Sequence, residues 1–296
     1  MALSREGALM DIGDRRTGGG SALLRALLRL GQGALIGLGA VLPGVSGGVL
    51  CVVFGVYRPI MELLSHPFSA IKKYYKLLIP LVIGGALGFV VISKLLGFLL
   101  DRYPDMSVCL FVGLIAGMLP SLFREAGSRG RSKGSFVSLA ICFCVTLALL
   151  IALRLIHSDI KPNFAWYLFC GFCIALSVIA PGMSFSTLLM PLGLYTPLVT
   201  GIGSLRFSII IPAGVGALLT VIVLSKAVTR LMDRHYSLVF HGIIGIVIAA
   251  TAVIIPFGSF ASGIKSCVAD IICLAVGIAA ALLLDRFNRK FDTDKD

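Results

Sequence analysis

Apolar residues fill this chain in long runs at about 22–42, 47–64, 76–100, 107–123, 135–156, 165–180, 185–203, 207–231, 237–256 and 265–285. Crossing a bilayer takes about 20 apolar residues in a helix. The pattern therefore predicts an all-α polytopic membrane protein. Two pairs of runs are separated only by a Pro-Gly turn. Pro43-Gly44-Val45-Ser46-Gly47-Gly48 joins 22–42 to 47–64, and Pro181-Gly182-Met183-Ser184-Phe185-Ser186 joins 165–180 to 185–203. Each pair is expected to form a tight helical hairpin that enters and leaves on one side. The shortness of run 165–180 favours a re-entrant form. Helix breakers at membrane depth free backbone polar groups that lipid cannot satisfy, so they are found where they line a buried polar cavity.

The first half of the chain repeats in the second. At the spacing from Pro43 to Pro181, Gly33 matches Gly171, Ser46 matches Ser184, Gly55 matches Gly193, and Tyr57 matches Tyr195. At the slightly shorter spacing from Pro80 to Pro212, Gly84 matches Gly216, Ser93-Lys94 matches Ser225-Lys226, Asp101-Arg102 matches Asp233-Arg234, and Gly113 matches Gly245. Identities at glycine, proline and charged positions, in order, indicate an internal duplication. Each half holds one broken hairpin and three spans, an odd number of crossings, so the second half is expected to be inverted. The predicted organisation is an N-terminal tail 1–21, a first membrane repeat 22–157, an inverted second repeat 158–285, and a C-terminal tail 286–296. Gly33/Gly37, Gly84/Gly88 and Gly113/Gly117 have the spacing that lets membrane helices pack closely.

Charge orients this arrangement. With the N-terminus inside, Arg25, Arg29, Lys72, Lys73, Lys76, the basic loop 124–134, Lys226, Arg230, Arg234 and both tails fall on the cytoplasmic side. Arg102, Lys161, Arg206 and Lys265 fall outside. That is a strong positive-inside bias. Both termini are therefore expected on the cytoplasmic side of the membrane. The first twenty residues are polar and glycine-rich, so no cleavable signal peptide is expected.

Composition narrows the functional classes. Of 296 residues, 58% are hydrophobic and 14% charged, with a formal net charge of +12; the mean hydropathy is +1.01. A soluble domain carries roughly 25% charged residues. The basic excess therefore suits anionic membrane lipids or an anionic headgroup, and no nucleic-acid partner is expected. The eight cysteines, Cys170-x-x-Cys173 included, sit mostly in apolar runs and are expected to pack as small hydrophobes. No cofactor is expected. The four histidines have no carboxylate at metal-ligand spacing, so no metal site is expected either. Ser46 lies in a Gly-Val-Ser-Gly-Gly string but lacks a strand-to-helix setting, and no enzymatic activity is expected.

The candidate chemistry lies at the breaks. Proline disfavours helix at the preceding residue, so each first half-helix should end near Leu42 or Ala180. Ser46 and Ser184 are then placed to cap the helices that follow. The first N–H groups of those helices have no helical partner and favour an anion. Gly47 and Gly48 allow close approach to the backbone. The predicted binding residues are Pro43, Gly44, Ser46, Gly47, Gly48, Pro181, Gly182, Ser184 and Ser186. Lys94 and Lys226 join them, as matched cations each seven residues before an aspartate. They either pair with Asp101 and Asp233 at the interface or neutralise an anion near each face. Tyr57 and Tyr195 are expected to serve mainly as interfacial anchors.

Gly33 to Tyr57 and Pro181 to Tyr195 resemble the paired motifs of a bacterial family once known only as a domain of unknown function and now regarded as polyprenyl-phosphate transporters. The resemblance runs over about 22–285. It implies a flippase that moves undecaprenyl phosphate from the outer to the cytoplasmic leaflet, recycling the lipid carrier of cell-envelope synthesis. Phe185 stands where the family has a small residue, and Val49 where threonine is frequent. A phosphate of about −1.5 to −2 charge moves inward against an inside-negative potential, at about 2.3 kcal/mol per charge per 100 mV. Net inward flow then needs coupling to protons or sodium, protonation of the phosphate, or consumption of the lipid inside. An ion-coupled transporter or channel for a small anion is the alternative reading. A membrane scaffold is another, and it would tolerate loss of both Ser46 and Ser184.

Overall fold

A computed structural model describes residues 22–43, 50–51, 54–56, 59–60, 62–63, 67–155, 161–179, 184–261 and 263–293. Among the described residues the chain is all-helical. In chain order the helices are α1 (Ala22–Val41), α2 (Pro67–Arg102), α3 (Pro104–Ala126), α4 (Lys133–Leu155), α5 (Phe164–Ile179), α6 (Phe185–Leu189), α7 (Tyr195–Gly203), α8 (Phe207–Ile254), α9 (Phe257–Ala261) and α10 (Ile264–Thr293). Among the described residues, seven helical stretches are long and apolar enough to cross a membrane. They are Leu23–Val41, Phe68–Arg102, Pro104–Ala126, Lys133–Leu153, Phe207–Leu224, Arg234–Ile254 and Ile264–Arg286. Helix α5, with 16 residues, reaches only about 24 Å at 1.5 Å per residue.

Glycines set how the helices meet. A methyl group on Gly33 would stand 2.0 Å from the Leu81 carbonyl oxygen, and one on Gly84 would stand 2.0 Å from that of Leu30. Gly37 and Gly88 approach Gly85 and Ala34 as closely. These contacts advance together along both helices, so α1 and α2 lie parallel. A parallel pair requires the chain between them to turn back to the side it came from, as a hairpin does. The same holds for α5 and α8. A methyl group on Gly171 would stand 2.0 Å from the Ala213 carbonyl oxygen, and one on Gly216 would stand 2.1 Å from that of Leu168. The sequence spacing that pairs Gly33 with Gly171 and Gly84 with Gly216 thus pairs their contacts as well.

The remaining helices pair across the halves. A methyl group on Gly113 of α3 would stand 2.2 Å from the Leu274 carbonyl oxygen of α10, and one on Gly277 of α10 would stand 2.3 Å from that of Leu110. A methyl group on Gly245 of α8, the match of Gly113, would stand 2.3 Å from the Leu139 carbonyl oxygen of α4. Helix α3 of the first half therefore lies on α10 of the second, and α4 of the first on the later part of α8. The Arg124 guanidinium also pairs with the Asp285 carboxylate at 2.6 Å between α3 and α10.

Two boundaries differ from expectation. Runs 207–231 and 237–256 are not separated by a loop. They meet at one non-helical residue, His235, with φ −133° and ψ 39°. Its match, Tyr103, has φ −135° and ψ 63°. Pro104 separates α2 from α3 by starting a new helix, whereas Tyr236 stands at the matching position of the second half and lets the helix resume at once. Run 185–203 is not one helix either. It splits into α6 and α7 around Gly193 at φ +69°, and Gly55 at φ +67° matches it. The Leu194 N–H closes that turn on the Leu189 carbonyl at 3.0 Å, as Val56 does on Cys51 at 2.8 Å.

The main core gathers Val41, Ile92, Leu96, Phe111, Cys170, Cys173, Phe185, Tyr195 and Leu198 around the two breaks. All eight cysteines are free. Large apolar side chains such as Val91, Val145 and Ile222 are exposed on the outside, the surface a lipid environment requires.

Candidate functional site

The first break begins where α1 ends at Val41. Leu42 still bonds back to Leu38 at 3.2 Å, and Pro43 forms a buried turn. A proline offers no N–H, and the last carbonyls of a helix lack helical donors. Tyr195 meets that need from the other half of the chain. Its hydroxyl donates to the Val41 carbonyl at 3.0 Å, with the ring 1% exposed. Tyr195 is therefore not an interfacial anchor. It is a buried strut that joins the second motif to the first.

The second break resumes at Ser184. Its backbone is extended, φ −112° and ψ 134°, as a residue preceding a helix should be. Its side chain does not cap α6. Instead Ser184 Oγ and Ser186 Oγ lie 2.6 Å apart. The Ser184 carbonyl accepts the Thr187 N–H at 3.2 Å and the Thr187 hydroxyl at 2.6 Å. The N–H groups of Phe185 and Ser186 belong to the first turn, where no helical acceptor precedes them. The polar group at this break is a pair of hydroxyls with two first-turn amides. Helix α6 has only five residues, so little dipole stands behind it.

Phe185 points into the core. It is 1% exposed, stacks on Phe89 at 6.3 Å between ring centroids, and lies 6.1 Å from Tyr195. Its bulk fills packing space between α2 and α7. Helix α7 crosses α2 where Gly97 faces Thr200 and Gly203 faces the Lys94 backbone.

The other expected site residues divide between placed and unplaced. Lys94 is exposed on α2 and makes no ion pair among the described residues. Asp101 lies about 10 Å further along the helix axis, beyond pairing distance. Lys94 also lies about 140° around α2 from Phe89, the residue that touches Phe185, and no hydrogen bond joins it to Ser184 or Ser186. Gly44, Ser46, Gly47, Gly48, Tyr57, Pro181 and Gly182 lie outside the described residues, as do the side chains of Lys226 and Asp233. Among the other acids near the spans, Glu62 pairs with Lys73 at 3.3 Å. Asp270 is 1% exposed and accepts from the Ser259 hydroxyl at 2.5 Å.

Comparison with known proteins places this arrangement. The undecaprenyl phosphate translocase-like family matches residues 36–272, a stretch that contains both Pro-Gly breaks. The chain belongs to the undecaprenyl phosphate translocase-like family. It is similar to the polyprenyl-phosphate transporter of Staphylococcus aureus, with 26% identity over 277 residues, covering 87% of this chain and 95% of that protein. It is also similar to the polyprenyl-phosphate transporter of Vibrio cholerae, with 22% identity over 240 residues and 76% of each chain. No solved structure matches this member of the translocase-like family. The Tyr195–Val41 bond was missed in the sequence because a buried and an interfacial tyrosine look alike there. The signal that could have found it is the matched Gly-x-Tyr after each break.

Proposed function

We propose that this protein moves polyprenyl phosphate between the leaflets of a bacterial cytoplasmic membrane, from the outer to the cytoplasmic side. The observation that carries the reading is the meeting of the two breaks. Tyr195, eleven residues beyond Ser184, bonds to Val41, two residues before Pro43. The names of the relatives from Staphylococcus aureus and Vibrio cholerae support the lipid substrate.

In this reading the halves are inverted, and each break serves the headgroup from one leaflet. Ser184, Ser186 and the first-turn amides beside them form the polar cradle of the second half. Pro43, Gly44, Ser46, Gly47 and Gly48 form that of the first, with Pro181 and Gly182 opening the second. Lys94 and Lys226 guide the anion near each face. The hydroxyl pair suits phosphate because each hydroxyl can turn its proton toward an anionic oxygen. Inward movement of the charge against the potential is driven by a proton or sodium ion or by consumption of the lipid inside.

The test is leaflet exchange of a labelled polyprenyl phosphate in liposomes holding the purified protein. The wild-type protein accelerates exchange over empty liposomes. Ser184→Ala/Ser186→Ala slows it by about tenfold or more, the scale of one or two charge-assisted hydrogen bonds. No acceleration by the wild-type protein, or unchanged rates in the double variant, refutes the reading.

A further inference from the structure

A cleft of about 670 Å³ lies at the start of the parallel pair α5 and α8, away from the Ser184–Ser186 pair in sequence and on different helix ends. Its polar residues include Asn163, Tyr167 and Arg206; Phe164, Phe207 and Ile211 line it with apolar surface. Asn163 is occupied, since its side-chain oxygen accepts the Trp166 N–H at 3.1 Å. Arg206 immediately precedes α8 with an extended backbone. It pairs with no carboxylate among the described residues. The apolar lining is open: Phe164 is 64% exposed, Phe207 69% and Ile211 57%. A single cation and a phenol therefore sit at the head of a greasy groove on a lipid-facing surface.

The repeat shows that this pairing recurs. At the spacings that match the two halves, Tyr167 corresponds to Arg29 and Arg206 to Tyr74. Pro212 corresponds to Pro80. The arginine and tyrosine have changed places between the two helices, yet each half keeps one of each at the same end of its parallel pair. In the first half these groups are engaged. Arg29 bonds to Gln32 at 3.1 Å, and Tyr74 to Glu62 at 3.5 Å. In the second half, Arg206 has no such partner among the described residues.

We propose that the Arg206–Tyr167 cleft is a docking port for the phosphate headgroup of an anionic lipid, with the lipid chain lying along Phe164, Phe207 and Ile211. This rests on the reading of the protein as a carrier of such a lipid, and names where the lipid is first held in one leaflet. Arg206 supplies the charge, and the Tyr167 hydroxyl a donor beside it. A free anion would gain the charge alone. An uncharged prenyl chain would gain only the groove. The port requires both.

Trp166 is the only tryptophan in the chain and neighbours Tyr167, so its fluorescence reports on the cleft without a label. The experiment titrates the detergent-solubilised full-length protein with farnesyl phosphate, with farnesol, and with inorganic phosphate. Farnesyl phosphate is expected to change Trp166 emission saturably, at concentrations where farnesol and inorganic phosphate do not. Arg206→Gln weakens that binding about tenfold or more, and Arg206→Lys restores part of it. Arg206 is exposed, and gel filtration of each variant checks its folding. Equal binding by Arg206→Gln, or an equal response to inorganic phosphate or to farnesol, overturns the port. Wild-type protein that exchanges polyprenyl phosphate in liposomes yet shows no Trp166 response overturns the port alone. Wild-type protein that fails in both assays overturns the proposed function with it.

Discussion

The hydroxyl of Tyr195 holds the carbonyl of Val41 across the centre of the molecule at 3.0 Å. The two residues are 154 apart in sequence. One closes the last turn of the helix entering the first break, and the other opens a helix leaving the second. Tyr195→Phe keeps the ring and deletes the bond, leaving a buried carbonyl without its donor. The expected cost is about 1–3 kcal/mol, read as a lowered thermal midpoint in detergent. Leaflet exchange should fall as well, because the two breaks lose their fixed spacing. An unchanged midpoint would show that the bond holds nothing.

Phe185 gives a second measure of the same region. Its ring packs between Phe89 and Tyr195, so Phe185→Ala should cost about 3–5 kcal/mol as a core truncation. Phe185→Leu should cost distinctly less. If Phe185 instead narrowed a passage, the alanine variant would exchange lipid faster with little loss of stability. Thermal unfolding and exchange rates measured on the same preparations separate these outcomes.

Glycines at the parallel crossings should behave as matched pairs. Gly33→Ala and Gly171→Ala each drive a methyl to within 2.0 Å of a carbonyl oxygen, so the helices must part. Each variant should lose about 1–3 kcal/mol, and by similar amounts. Gly31→Ala and Gly214→Ala meet nothing within 4 Å and should gain up to about 1 kcal/mol from helix propensity. Four thermal midpoints test this.

A cysteine pair tests the docking of α7 on α2. A side-chain carbon on Gly97 would lie 3.6 Å from that of Thr200, within the range of about 3.5–4.5 Å that a disulfide spans. Gly97→Cys/Thr200→Cys should cross-link under mild oxidant, seen as a shift in gel mobility that reductant reverses. If the second hairpin moves against α2 during transport, the oxidised protein will be slow and will recover on reduction.

Much of this was legible in the sequence, and the rest had reasons to be hidden. The spans follow from apolar length, and the glycine contacts from spacing, because a close helix crossing leaves no room for a side chain. The match of Gly33 with Gly171 is plain from their positions before the two Pro-Gly turns. The split of run 185–203 was obscured because residues 190–194 are nearly as apolar as their neighbours; only Pro191 and Gly193 mark the turn. The loop-free passage from 207 to 254 was obscured by charges at Asp233 and Arg234, which read as a loop although the chain only kinks there, at His235. Capping by Ser184 was a sound expectation from its position, but its hydroxyl found Ser186 instead. Sequence order also gave no hint that α3 lies against α10 and α4 against α8, since such pairing depends on how the two halves are nested.

That nesting has a consequence for how the molecule is made and where it came from. While the chain is being synthesised, Gly113 has no surface to rest on until Leu274 has left the ribosome. Helices α3 and α4 must wait in the lipid, their grooves unfilled, for α10 and α8. A half-length gene product would face the same shortage and could fill its grooves only with a second copy of itself. A half-length ancestor would therefore be stable only as a pair of chains.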